Sequence, residues 1–183
     1  MQKRIVALSG SLKEQSSNAA ILKIISAFVP QEIEYKIYNG IDKLPFFNPD
    51  LDNENVAEHL TSFRSVLGSA HGVIICTPEY AFGIPGVLKN ALEWLVSSAT
   101  LYEKPVVTIS ASPSAQGGDK AHESLRLVLT ALGARLTDDG QLTIPSLRNK
   151  IDQQGVVTDK NLLVDLENLL AIFIQNLAKT EKA

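Results

Sequence analysis

The sequence predicts a single α/β domain: a doubly wound sheet of five parallel strands in the order 2-1-3-4-5, with helices on both faces. Three observations lead there. Short apolar runs alternate with longer stretches of helical periodicity, five of each. Most of the runs are continuously apolar, as strands buried on both faces require. The 183 residues, 45% of them hydrophobic, suffice for one sizeable core and contain no internal repeat or linker.

In chain order, residues 4–8 (RIVAL) form the first strand and, after a polar loop, residues 18–28 the first helix. A weaker, alternating run at 34–38 is the second strand, and 56–69 the second helix. The third strand is 72–76 (GVIIC) and the third helix 85–97, with Pro85 in the first turn, where its missing N–H costs nothing. The fourth strand is 105–109 and the fourth helix 118–132, which Gly133 ends as a left-handed C-terminal glycine. Residues 134–137 (ARLT) are the expected fifth strand and 160–179 the last helix, leaving 180–183 as a frayed tail.

Composition narrows the function. A formal charge of −3, with Lys and Arg scattered along the chain, leaves no footprint for nucleic acid or a membrane surface. A small-molecule or protein partner is expected instead. No apolar run approaches the roughly 20 residues of a membrane span. The single cysteine, Cys76, excludes an internal disulfide, and with no signal-peptide pattern the expected location is the cytoplasm. His59, His71 and His122 have no metal-ligand spacing with one another or with Cys76, so no metal site is expected.

In a sheet of this order the first and third strands are neighbours, the chain reverses direction between them, and ligands bind at that crevice, outside the carboxyl ends of the strands. The loops after strands one, three and four meet there, reading GSLKEQSSN (10–18), TPEYAFGIPG (77–86) and SASPSAQGG (110–118). The first has two compatible readings. Ser16 or Ser17 caps the following helix, and Ser11-Leu12-Lys13-Glu14 matches the capping-box pattern. The helix start is also a phosphate cradle, with unpaired N–H donors, the side chains of Ser11, Ser16, Ser17 and Asn18, and Lys13 as the one mobile charge. Walker A and dinucleotide-fingerprint spacings are absent, as is a cysteine for phosphatase chemistry.

The second loop is stiffened by two prolines and carries Tyr80 and Phe82, a flat apolar surface that either meets a heteroaromatic ring or covers the core. In the third, Ser110, Ser112 and the Gly117-Gly118 pair allow a second backbone to approach closely. A ring clamped between two loops, with its phosphate at the first, describes FMN better than an adenine nucleotide. Glu79 is expected to cap a helix or pair with Lys89 and not to act as a catalytic acid. Cys76 reads as a small core hydrophobe, and Trp94 as core packing or, if that helix face is exposed, an oligomer contact.

These motifs also carry a resemblance. Gly10-Ser11-Leu12-Lys13 and Ser16-Ser17-Asn18, with Thr77-Pro78-Glu79-Tyr80 and the block from Pro85-Gly86 through Leu88-Lys89-Asn90-Ala91 to Trp94, resemble the NADPH-dependent FMN reductase family of flavodoxin-like proteins. That family includes flavin, quinone, azo-dye and chromate reductases. Residues 44–51 (LPFFNPDL) and Gly117-Gly118 are similar too, so the resemblance covers most of residues 4–135. It implies a flavodoxin-like fold, FMN as cofactor, and NADPH or NADH as electron donor. Hydride would pass to the flavin and then to a small acceptor such as a quinone, free flavin, azo compound or metal oxyanion.

By position, the resemblance implies that Ser11, Lys13, Ser16, Ser17 and Asn18 hold the FMN phosphate. It places Pro78, Glu79, Tyr80, Ala81, Phe82 and Gly83 along the isoalloxazine, with Ser112, Gly117 and Gly118 on the other side. No side chain is assigned as general acid or base, because the flavin carries the redox chemistry. A homodimer or homotetramer without nucleic-acid or membrane partners is implied. Two positions depart from the family pattern: Lys13 stands where arginine is usual, and Ala81 where asparagine is usual. The alternative readings are a flavodoxin-like electron carrier or FMN-binding regulator without nicotinamide turnover, and a phosphate-ester binder without flavin.

Overall fold

The computed structural model describes residues 2–13, 16–53, 56–152 and 154–179. Strands β1 (Lys3–Ser9), β2 (Ile33–Tyr38), β3 (Gly72–Thr77), β4 (Val106–Ala111) and β5 (Gln141–Ile144) form one sheet in the order β2-β1-β3-β4-β5. Every neighbouring pair is parallel. The helices are α1 (Ser17–Phe28), α2 (Glu58–Gly68), α3 (Gly86–Glu93), α4 (Asp119–Ala131) and α5 (Lys160–Lys179).

The continuous apolar runs have a simple cause. Along β1, Ile5 and Ala7 enter a core with α1 and α5, while Val6 and Leu8 enter a second core with α2, α3 and α4. All four are fully buried, and sealing side chains the size of Ile, Val or Leu contributes about 1.5–3 kcal/mol each. Both faces of the strand must therefore be apolar.

Helix ends follow local chemistry. Ser16 is the N-cap of α1, its Oγ accepting from Ala19 N at 3.4 Å, and Ser17 is the first helical residue. Ser11 does not cap that helix, and Glu14, the other half of the capping-box match, lies outside the described residues, as does the 180–183 tail. Gly133 is left-handed (φ 69°), with Gly133 N bonded to Thr130 O and Ala134 N to Leu129 O, the two bonds of a Schellman ending.

Two expectations need correction. The fifth strand is at 141–144, not 134–137: Arg135 makes a single parallel bridge with Pro105, and continuous pairing with β4 starts at Gln141. The earlier segment serves the core instead, with Ala134 and Leu136 packed against it. The third helix is also shorter than 85–97, because Pro85 is its N-cap and it ends at Glu93. Trp94 beyond it is 1% exposed, so packing explains it. Its Nε1 donates to Pro45 O at 2.8 Å, and Asn90 bonds Pro45 O and Phe47 N through its two amide atoms. The two side chains thus pin the segment around residues 45–47 to α3.

Among the described residues, no helix is long and apolar enough to cross a membrane.

Candidate functional site

The order of the sheet puts the switch point between β1 and β3, and Gly10 N continues their pairing by donating to Cys76 O at 2.8 Å. At that carboxyl edge lies a cleft of about 170 Å³. Ser11, Lys13, Ser16, Ser17 and Asn18 line its first-loop side; Pro78, Glu79 and Tyr80 come from the second loop and Ser112 from the third. The expected residues Ala81, Phe82, Gly83, Gly117 and Gly118 are not among its lining.

Asn18 is the most informative residue of the cleft. It is 4% exposed, and its Oδ1 accepts the Cys76 thiol at 3.1 Å. Burial pushes that thiol's pKa far up, so it stays protonated and acts as the donor. The Nδ2 of Asn18 has no partner among the described residues, yet the residue lines the cleft. Among the described residues no buried side-chain nitrogen or oxygen lacks a partner, so this amide nitrogen opens to the cleft and is available to an acceptor bound there. Beside it, the N–H groups of Ser17 and Asn18 in the first turn of α1 have no intrahelical carbonyl to reach. Together with the hydroxyls of Ser11, Ser16 and Ser17 this donor set fits a phosphate group, and it is consistent with FMN.

Glu79 caps a helix: its Oε2 accepts from Ala121 N at 3.0 Å in the first turn of α4, tying the second loop to the fourth helix. It does not pair with Lys89, whose Nζ is 2.6 Å from Glu93 Oε1. The next residues form a tight two-residue turn in which Tyr80 N donates to Gly83 O and Gly83 N to Tyr80 O. Ala81 and Phe82 at its centre both have positive φ (50° and 58°).

The glycine pair has a different reason from the expected close approach to a ring. Gly117 and Gly118 are left-handed (φ 68° and 83°), and a Cβ on Gly117 would lie 2.6 Å from Thr143 Cγ2 and 2.9 Å from Pro145 N. One on Gly118 would lie 3.3 Å from Glu79 Cβ. What approaches closely there is protein, not empty cleft.

Sequence reasoning missed four lining residues: Ala111, Pro113, Leu147 and Arg148. The last two belong to the short 3-10 turn Leu147–Asn149 after β5, whose strand had been placed too early in the chain. A broader depression of about 600 Å³ follows α4 and β5, but no residue of the first or second loop reaches it. His122 lies at its floor, with Nε2 2.7 Å from Thr108 Oγ1 and Nδ1 2.9 Å from Thr143 Oγ1. Burial, with Arg126 nearby, lowers the His122 pKa to about 4, so the ring is neutral at pH 7 and serves as a buried polar strut.

A 2-1-3-4-5 parallel sheet with a donor-rich cleft at its switch point defines a flavodoxin-like protein with a cleft suited to a phosphorylated ligand. Residues 3–148 match the model of the NADPH-dependent FMN reductase family, and the chain belongs to that family. It is 32% identical over 172 residues to the NADH:(hydroxy)cinnamate reductase subunit CrdA of Vibrio ruber, covering 92% of this chain and 84% of that one. It is 30% identical over 174 residues to a quinone reductase of Escherichia coli, covering 93% of each. Among solved structures, FerB, a flavoenzyme NAD(P)H:(acceptor) oxidoreductase from Paracoccus denitrificans, superposes with a TM-score of 0.86 at 24% identity, over 97% of this chain and 98% of that one. The protein is thus an oxidoreductase of the FMN reductase type that uses FMN and NAD(P)H.

Proposed function

We propose that this enzyme reduces quinones with electrons from NAD(P)H through an FMN whose phosphate sits at the start of α1. The unpartnered Nδ2 of the buried Asn18, opening on the cleft, carries the reading. The names of its relatives support the acceptor class, since they include quinone reductases and a 2-hydroxy-1,4-benzoquinone reductase.

Each part of the chain has a defined task. Ser11, Ser16, Ser17 and Asn18 donate to the phosphate and Lys13 adds charge, while the positive end of the α1 dipole favours the anion. Pro78, Glu79, Tyr80 and Ser112 form the walls for the ring, and the Glu79 bond to Ala121 N ties the second loop to the first turn of α4. The turn Ala81-Phe82-Gly83 borders Tyr80 and offers the exposed Phe82 ring, 81% accessible, to a planar apolar acceptor. The left-handed Gly117 and Gly118 let the third loop pack against Glu79 and β5, holding Ser112 in place. FMN held by these residues would supply the redox chemistry, hydride acceptance from the nicotinamide and electron transfer to the acceptor. The same reading places the enzyme in the cytoplasm as a homodimer or homotetramer, with light scattering as the check on assembly.

The test is initial-rate kinetics with NADPH or NADH against a benzoquinone. Parallel double-reciprocal lines are expected, because donor and acceptor react in separate half-reactions. Quinone left unreduced while free FMN is consumed would refute the acceptor assignment.

A further inference from the structure

We propose that Arg148 is a second phosphate-binding cation of the cleft and that it makes the site select phosphorylated over unphosphorylated flavin. The inference rests on the flavin reading above.

The backbone that carries Arg148 is held in place. Ser146 is left-handed (φ 50°) and folds the chain after β5 back onto the third loop. There Ser146 N donates to Ser114 O at 2.8 Å and Leu147 N to Ser112 O at 3.0 Å. Leu147, 2% exposed, locks the turn into the core shared with α1. Arg148, the next residue, lines the same cleft as Lys13 and Asn18, on its β5 side, while Lys13 lies on the β1 side.

The charges around the cleft give the arrangement its meaning. Its described lining contains two cations, Lys13 and Arg148, and one carboxylate, Glu79, whose Oε2 is engaged by Ala121 N. Among the described residues neither cation has an ion-pair partner. A phosphate monoester carries nearly two negative charges at pH 7, and the open amide of Asn18 adds a hydrogen-bond donor beside the two cations. Lysine offers only a point charge, whereas a guanidinium presents a planar fork that engages two phosphate oxygens at once. Arg148 therefore supplies from β5 the bidentate contact that Lys13 cannot make from the first loop. Riboflavin, which lacks the phosphate, gains nothing from it.

The experiment is flavin titration of the full chain by fluorescence quenching, with FMN and with riboflavin, at low and high salt. Arg148→Gln is expected to weaken FMN by about tenfold at low salt, less at high salt, and to leave riboflavin unchanged. Arg148→Lys should fall between, and adding Lys13→Arg to Arg148→Gln should recover most of the loss. Equal losses for both flavins, or undiminished FMN affinity, would overturn the proposal. So would retained FMN affinity with a raised KM for NADPH, which would assign Arg148 to the nicotinamide nucleotide. If Arg148→Gln has no effect while Lys13→Ala and Ser16→Ala weaken FMN alone, the Arg148 assignment fails and the flavin reading stands. If the wild-type protein binds neither flavin, the flavin reading itself fails.

Discussion

The tight turn beside Tyr80 is conformationally strained, and relieving it should stabilise the protein. Ala81 and Phe82 both adopt positive φ, with the turn closed by two bonds between Tyr80 and Gly83. For ordinary L-residues a left-handed conformation costs about 1–2 kcal/mol each, while asparagine and glycine adopt it readily. Two-residue hairpin turns with positive φ at both positions accordingly favour Asn-Gly. Both side chains are exposed, so changing them sacrifices little burial. After subtracting the entropy glycine adds to the unfolded chain, Ala81→Asn with Phe82→Gly should gain about 1–2 kcal/mol, or roughly 3–6 °C in Tm for a chain of this length. Urea unfolding of the apoprotein measures it, with an unchanged m-value required for the comparison. Ala81→Val is the opposing control and should lose stability. No gain in the first variant, or no loss in the second, would show that the turn is not strained.

Other outcomes follow from the same geometry. Ser16→Ala should weaken FMN by about one to two decades and leave riboflavin unchanged, whereas Lys13→Ala should lie at the low end of that range and be salt-dependent; flavin titration reads both. Glu79→Ala should cost about 0.5–2 kcal/mol through the lost cap on α4, while Lys89→Ala, whose partner is the surface Glu93, should cost under about 1 kcal/mol in urea unfolding. The folded pKa of His122, about 4, lies below its ordinary value of 6.5, so between these values the unfolded chain binds the extra proton. Stability present above pH 6.5 should therefore fall by about 3 kcal/mol on approaching pH 4, and His122→Gln should lose that part of the decline in urea midpoints measured across the range.

What the sequence revealed depended on how local the governing physics was. β1, β3 and β4 were legible because burial on both faces makes their apolar runs continuous, β2 at one edge showed as a weaker alternating run, and the Ser16 cap and Gly133 ending were legible because each is set by a few neighbouring residues. β5 was not, because at the sheet edge its Gln141 and Thr143 are exposed and its pattern is weak. Misplacing it hid a consequence: the turn that follows reaches the cleft, so Leu147 and Arg148 went unseen. Residue type also spoke to backbone freedom without naming the neighbour. Gly117 and Gly118 did mark a close approach, but the approaching groups are Thr143, Pro145 and Glu79. Likewise the helix that Glu79 caps begins some 40 residues further on, a pairing that only the fold creates.

The most direct measurement is anaerobic addition of NADPH, and separately NADH, to the FMN-loaded protein while the flavin absorbance is followed. The account predicts stoichiometric bleaching by at least one of the two nucleotides, with the yellow colour restored on adding quinone. A flavin that stays oxidised with both, yet is reduced by dithionite, would behave as an electron carrier and contradict the assignment.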